Sequence, residues 1–318
     1  MSKQLISIVI PCYNEEQTLP IIYEELGKVV AGMQEYEFEY FFVNDGSKDK
    51  TLCLLKELAE KDERVKYVSF SRNFGKEAAL LAGLQNAKGD YVATMDADMQ
   101  DPPALLPELL SYVASGEYDN AATRRVTRKG EPVIRSFFAR SFYKLMQHMT
   151  DINIVDGARD YRVMNRAMVD SIIALQEYNR FSKGIFAWVG YETKWVEFEN
   201  VERAAGETKW SFWKLLRYSV EGIVSFSNTP IHLASYLGLG LTGISVLALI
   251  FIVVRALLFG DPVAGWPSLA CLITFLGGMQ LFVIGVMGQY ISKTYLEVKK
   301  RPHYIIKDTN CPDAKLNP

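Results

Sequence analysis

Over the first two hundred residues, short apolar runs alternate with stretches whose apolar positions recur every three or four residues. Leu5 to Ile10 is apolar and β-branched, and it ends at Pro11. Leu19, Ile22, Tyr23, Leu26 and Val30 then form one helical stripe. Glu39 to Val43, Val65 to Phe70 and Tyr91 to Met95 predict three further strands. Between them, Leu54, Leu55, Leu58 and Ala59 mark one helix, and Glu77 to Gln85 another. Continuous apolar strands alternating with amphipathic helices predict an α/β fold, a mainly parallel sheet with helices on both faces. Ligands of such sheets bind beyond the carboxyl ends of the strands.

The pattern changes near residue 210. Residues 233–259 carry one charge, Arg255, and residues 267–292 carry none. About 20 apolar residues suffice to cross a bilayer, so two transmembrane helices joined by a turn at 260–266 are expected. The alternative, two buried helices of a soluble domain, fits two such long uncharged runs poorly. Lys209, Lys214 and Arg217 precede the pair, while Lys293, Lys299, Lys300 and Arg301 follow it. The basic residues place both ends in the cytoplasm. From Trp210 to Ser227, Lys214, Arg217 and Glu221 share one helical face opposite Trp213, Leu216, Val220, Ile223 and Val224, which predicts an interfacial amphipathic helix. The expected organisation is a cytoplasmic catalytic domain over 1–209, the interfacial segment over 210–231, the multi-pass membrane hairpin over 232–292 and a cytoplasmic basic tail over 293–318.

Composition agrees with two unlike parts. The chain has 318 residues, 23% of them charged, yet its mean hydropathy is +0.02. A net charge of −2 argues against a nucleic-acid partner. Cys12, Cys53, Cys271 and Cys311 are scattered, and His148, His232 and His303 form no local metal motif. The first residues do not read as a signal peptide.

The polar residues cluster where the fold would put a ligand. The four strands run into Pro11-Cys12-Tyr13-Asn14-Glu15, Asn44-Asp45-Gly46-Ser47, Ser71-Arg72-Asn73-Phe74-Gly75 and Asp96-Ala97-Asp98-Met99-Gln100-Asp101. One polar strand end is a turn or a cap, the reading preferred for Ser47 and Asp49; four converging ends point to a site. On an extended segment Asp96, Asp98 and Gln100 would share one side. Two carboxylates aimed together call for a cation, and a divalent ion bridging phosphates is the natural one. No Gly-x-Gly-x-x-Gly and no Gly-Lys-Ser/Thr loop is present, which disfavours dinucleotide oxidoreduction and P-loop hydrolysis.

These four segments, with Lys76-Glu77 and Pro102-Pro103, resemble family-2 glycosyltransferases of the GT-A (Rossmann-like) fold. The C-terminal apolar runs and Gly206-Glu207-Thr208-Lys209-Trp210 are similar to the polyprenyl-phosphate subgroup, which includes bactoprenol glucosyltransferases and dolichol-phosphate mannose synthases. The resemblance implies that Pro11, Tyr13, Glu15, Val43 and Asp45 hold the nucleoside, and that Asp96 and Ala97 line the nucleotide site. It implies Asp98 and Gln100, beside Asp96, as ligands of Mg²⁺ or Mn²⁺. Arg124 matches a phosphate-binding arginine, Arg135 and Arg140 match positions facing a lipid phosphate, and Arg203 and Lys209 match a segment closing over the diphosphate. Asp160 matches a carboxylate between acceptor phosphate and donor anomeric carbon. Arg159 stands where the family's motif has glycine, a change that could reshape the sugar pocket.

The resemblance thus implies single, inverting, metal-dependent transfer of a hexose, glucose or N-acetylglucosamine, from a UDP-sugar to undecaprenyl phosphate. Membrane lipids and further copies in a homo-oligomer are the other expected partners. A nucleotide-sugar-forming nucleotidyltransferase shares the sheet but has no use for a membrane hairpin. A non-catalytic membrane scaffold or transport component is a further alternative, but two spans without a buried polar pair offer little for a transport path on their own.

Overall fold

A computed structural model describes residues 3–126, 155, 157–199, 229–259, 265–312 and 314. The expected strands form β1 (Gln4–Cys12), β2 (Tyr36–Asn44), β3 (Val65–Phe70) and β4 (Tyr91–Thr94), interleaved with α1 (Leu19–Ala31), α2 (Thr51–Lys61) and α3 (Lys76–Asn86). A 3-10 turn over Pro103–Leu105 leads into α4 (Leu106–Ala114). Next come β5 (Asn120–Arg125), β6 (Ala158–Asn165), α5 (Arg166–Ala174), α6 (Ser182–Trp188) and β7 (Thr193–Phe198). The chain continues through α7 (Thr229–Phe259) and α8 (Trp266–Lys299) to a last strand, β8 (Ile306–Thr309).

Among the described residues, the strands form one sheet of eight in the order β7-β5-β6-β4-β1-β2-β3-β8. β1 pairs parallel with β2 and β4, β2 with β3, and β5 with β7, whereas β6 runs antiparallel between β4 and β5. Alternate side chains feed two cores. Ile6, Ile8 and Ile10 pack with Ile22 and Leu26 of α1, with Leu55 of α2, and with Leu109 and Leu110 of α4. Val9, Phe41 and Val43 pack on the opposite face with Ala79 and Ala82 of α3, Met168 and Ile172 of α5, and Ile185 and Phe186 of α6. Each fully buried aliphatic side chain contributes about 1.5–3 kcal/mol. The second face is tight: a Cβ on Gly83 would lie 2.1 Å from Cγ1 of Val9, so glycine is what lets α3 lie against β1.

The C-terminal segment departs from expectation. It does not form a separate basic tail, because β8 pairs antiparallel with β3 and extends the catalytic sheet. Tyr304 is fully buried, stacks on Phe70 at 4.9 Å and donates to Oε1 of Gln85 at 2.7 Å. At the end of α8, Oε1 of Glu297 accepts from the Tyr178 amide at 2.8 Å, and His303 stacks on Tyr178. Paired backbone and a buried aromatic outweigh the solvation of a few basic residues.

Among the described residues, one helical segment, Phe275–Lys299, is long and apolar enough to cross a membrane. The expected two crossings are therefore supported at one place. α7 is 31 residues long and exposes Leu239, Phe251, Leu258 and Phe259. The interfacial segment 210–231, for the most part, and the expected site residues Arg135, Arg140, Arg203 and Lys209 lie outside the described residues.

Candidate active site

The carboxyl ends of β1, β2, β3 and β4 meet at one edge of the sheet, and hydrogen bonds lock the first two loops together. The Asn14 amide donates to Oγ of Ser47 at 2.9 Å, the Glu15 amide to Oγ1 of Thr51 at 2.9 Å, and the Glu16 amide to Oδ2 of Asp49 at 3.1 Å. Ser47 and Asp49 therefore serve the loop, as expected of them. Glu15 also accepts from the Thr18 hydroxyl at 2.5 Å.

Asp45 is 3% exposed and accepts the amides of Phe74 (2.6 Å) and Gly75 (3.0 Å). Burial pushes its carboxyl up to about 6, against the pull of those two amides and of Arg72. Gly46, at φ +63°, lets the β2 loop press on the β3 loop: a Cβ there would lie 2.4 Å from the Arg72 carbonyl carbon. Pro11 is half-buried and Tyr13 is exposed at the same edge. The Val43 side chain is fully buried in the core, so any contact it makes with a ligand falls to its backbone.

The acidic segment is a turn rather than an extended strand. β4 stops at Thr94, Met99 has φ +60°, and the Gln100 amide folds back to Oδ1 of Asp98 at 3.1 Å. Period-two alternation therefore does not apply to Asp96, Asp98 and Gln100. What aligns this turn with β6 is antiparallel register, Thr94 opposite Arg162, together with a 2.6 Å bond from the Thr94 hydroxyl to the carbonyl of Asp160.

Lys76, the first residue of α3, joins the two acidic elements. Its Nζ donates to Oδ1 of Asp96 at 2.6 Å and to Oδ2 of Asp160. The Lys76 side chain is 42% exposed, and the two carboxylates, Asp160 and Asp96, hold its ammonium protonated above the ordinary lysine range. Burial alone would raise Asp160; Lys76, with smaller pulls from Lys183 and Arg162, holds it well below the usual carboxylate range. Asp160 is therefore a carboxylate at neutral pH.

Arg159 lies beside this pair. Its Nε donates to Oδ1 of Asp101 at 2.8 Å, and its terminal nitrogen reaches Oε1 of Gln100 at 3.4 Å. The Asp101 side chain is fully buried, and burial raises it to about 6 although Arg159 pulls the other way. Arg124 stands opposite Ala158 on the neighbouring strand, with Glu197 at 3.6 Å across the β5–β7 pair.

Residues 7–173 match the family glycosyl transferase family 2. The chain belongs to that family. It is a glycosyltransferase of the GT-A fold. It is 43% identical to the putative glycosyltransferase CsbB of Bacillus subtilis over 99% of this chain and 95% of that protein. It is 44% identical to the bactoprenol glucosyl transferase of Shigella phage SfII over 96% of this chain and 98% of that one. Among solved structures, glucosyl-3-phosphoglycerate synthase from Mycobacterium tuberculosis aligns with a TM-score of 0.49 and 20% identity, over 70% of this chain and 78% of that one, a likeness too distant to bear on chemistry.

A glycosyltransferase of this fold implies a divalent cation, and the donor set can be tested for it. Asp96, Asp98 and Gln100 offer only hard oxygens, the type Mg²⁺ and Mn²⁺ select. Among the described residues, no three His, Cys, Asp or Glu side chains converge as a metal cage. The set fits an ion that takes its remaining oxygens from phosphate and water. Lys76 already holds Oδ1 of Asp96 and Arg159 reaches Oε1 of Gln100, so an ion at this turn would share both of these side chains with a cation.

The expected site residues therefore divide. Asp45, Asp96, Asp98, Gln100 and Asp160 are brought to the sheet edge, and Arg124 to the adjoining strand. Lys76, Glu77 and Arg162 carry no assigned role in the sequence reading, although Lys76-Glu77 belongs to the segments that resemble the family. Arg162 is 2% exposed, lies over the Phe186 ring at 3.6 Å, and donates to the Arg159 carbonyl at 3.1 Å. Glu77 accepts from the amide of Ser182 at 2.9 Å and from its hydroxyl, which ties α3 to α6. One sequence signal could have found Lys76: a cation in a helix's first turn opposes the helix dipole and needs a separate reason to be there.

Proposed function

We propose that this glycosyltransferase moves one hexose, glucose or N-acetylglucosamine, from a UDP-sugar to undecaprenyl phosphate at the cytoplasmic face of the membrane. The observation that carries the reading is the joining of Asp160 to the Asp96–Gln100 turn through Lys76. In this reading a nucleotide diphosphate lies along that turn, with the Asp160 carboxylate beside it. Its ionisation suits it to orient groups rather than to deliver a proton. The 44% identity to a protein named bactoprenol glucosyl transferase supports a polyprenyl acceptor, and the exposed apolar surface of α8 supports a membrane setting.

In this reading an oxygen of the acceptor phosphate attacks the anomeric carbon. The bond from that carbon to the UDP oxygen breaks, and its electron pair leaves with UDP. A phosphate near pH 7 is already anionic, so the barrier lies in bringing two anions together. Arg124 would answer this with paired guanidinium donors, joined by Arg135 and Arg140 on the lipid side and by Arg203 and Lys209 over the diphosphate. A Mg²⁺ or Mn²⁺ ion on Asp98 and Gln100 would offset charge growing on the leaving diphosphate. Single displacement inverts the anomeric centre, so an α-linked donor yields a β-linked lipid. Two membrane passes and the segment over 210–231 would hold the site at headgroup level, where the acceptor is concentrated.

The test is a panel of nucleotide sugars offered to purified protein with undecaprenyl phosphate, with Mg²⁺, Mn²⁺ or chelator. One UDP-sugar giving a metal-dependent glycolipid is expected. Formation of a nucleotide sugar from UTP and a sugar phosphate, with no glycolipid, would replace this reading with a nucleotidyltransferase.

A further inference from the structure

We propose that Lys76 is a positioning residue for the transfer: its ammonium ties Asp96, on the turn assigned to the donor, to Asp160, on the strand assigned to the acceptor. The proposal rests on the functional reading above and adds to it the group that sets the spacing of the two half-sites. Both contacts are ion pairs from one nitrogen, to Oδ1 of Asp96 at 2.6 Å and to Oδ2 of Asp160. The Asp96 and Asp160 side chains are 23% and 14% exposed. Two such carboxylates repel when nothing positive lies between them. Thr94 already fixes the backbone of Asp160 through its carbonyl; Lys76 fixes the side chain.

Lys76 is itself held from both directions. Before it, Phe74 and Gly75 give their amides to buried Asp45. After it, Glu77 binds the amide and hydroxyl of Ser182. The helix dipole disfavours an ammonium in the first turn of α3, so the two carboxylates account for its place. A lysine has three N–H donors, and two are spent here.

The experiment compares full-length wild type, Lys76→Met and Lys76→Arg in detergent, with the accepted UDP-sugar, Mn²⁺ and undecaprenyl phosphate. Glycolipid, total UDP released and equilibrium binding of UDP with Mn²⁺ are each measured. Glycolipid turnover by Lys76→Met should fall about 100-fold, the scale of a misplaced reacting group. UDP binding should stay within about threefold, because the loss is confined to the transition state. UDP released per glycolipid formed should rise, since a sugar without a held acceptor passes to water. Lys76→Arg should recover to within about tenfold of wild type.

Lys76→Met turning over within about threefold of wild type would overturn the assignment. So would equal loss of UDP binding and turnover with an unchanged ratio of UDP to glycolipid. If Lys76→Met does not fold, Lys76→Gln is read by that same ratio, with Lys76→Arg as the rescue: a rise in Lys76→Gln that Lys76→Arg reverses supports the assignment, and an unchanged ratio in Lys76→Gln contradicts it. A wild type that makes no glycolipid from any UDP-sugar fails the functional reading, whereas an active wild type with an indifferent Lys76→Met fails only the role of Lys76.

Discussion

Arg159, at a position where the sequence resemblance implies glycine, donates to Asp101 at 2.8 Å. Lys76 binds the start of the acidic turn, at Asp96, and Arg159 binds its end, at Gln100 and Asp101. The Asp101 side chain is fully buried and the Arg159 side chain is 21% exposed. Removing the arginine strands a buried carboxylate, which typically costs about 3–5 kcal/mol. Arg159→Gly should therefore lower the melting temperature, and Arg159→Lys should recover little, because a lysine does not reproduce the guanidinium fork. Adding Asp101→Asn to Arg159→Gly should restore part of the loss, a coupling that a double-mutant cycle reads directly. Additive losses would show that the pair does not organise the turn.

Asp98→Ala should abolish metal-dependent transfer while the protein still melts near the wild-type temperature, because Asp98 is half-buried at the site and outside the two cores. Transfer assays in Mn²⁺ and in chelator, beside a thermal melt, check this. Wild-type turnover that persists in chelator would remove the ion from the reaction.

Asp45 gives a pH signature. Its carboxyl lies at about 6 in the folded protein against an ordinary 3.8. The folded state then binds more protons than the unfolded state between those values, so its contribution to stability falls as pH rises through the window. The whole effect is at most about 3 kcal/mol, at 1.36 kcal/mol per pKa unit. Asp160 shifts the opposite way, and its contribution is lost only below the usual carboxylate range. Melting temperatures of Asp45→Asn and wild type should diverge in the variant's favour from about pH 4 to about pH 6 and run parallel above. A constant difference across that window would contradict the assigned shift.

The C-terminal strand should be part of the catalytic domain's stability. Tyr304 is fully buried against Phe70. Truncating a buried aromatic to alanine costs about 3–5 kcal/mol. Tyr304→Ala should destabilise the protein on that scale, and deletion of residues 302–318 should do so at least as strongly. A melt unaffected by either change would return the segment to the status of a free tail.

Much of this arrangement was legible in the sequence. β1 to β4 lie where apolar β-branched runs predicted them, because strands buried on both faces leave the clearest pattern. The polar residues that follow these four strands lie together at one end of the sheet because the strands pair side by side. The acidic turn was placed correctly but given the wrong local geometry: only the end of β4 at Thr94 and the positive φ of Met99 reveal it. Lys76, Arg159 and Asp101 escaped notice as a network because their partners lie up to 84 residues away. β8 was missed because Ile306-Lys307-Asp308-Thr309 is short and mostly polar, and pairing with β3 alone makes it a strand.

The most direct measurement is the mass and anomeric configuration of the lipid made by wild type and by Asp160→Asn from an α-linked UDP-hexose and undecaprenyl phosphate. Wild type should yield a lipid phosphate carrying one hexose in β linkage, and Asp160→Asn should yield roughly 100-fold less of the same product. An α-linked product, several sugars on one lipid, or wild-type turnover by Asp160→Asn would contradict single displacement at the site organised by Lys76 and Asp160.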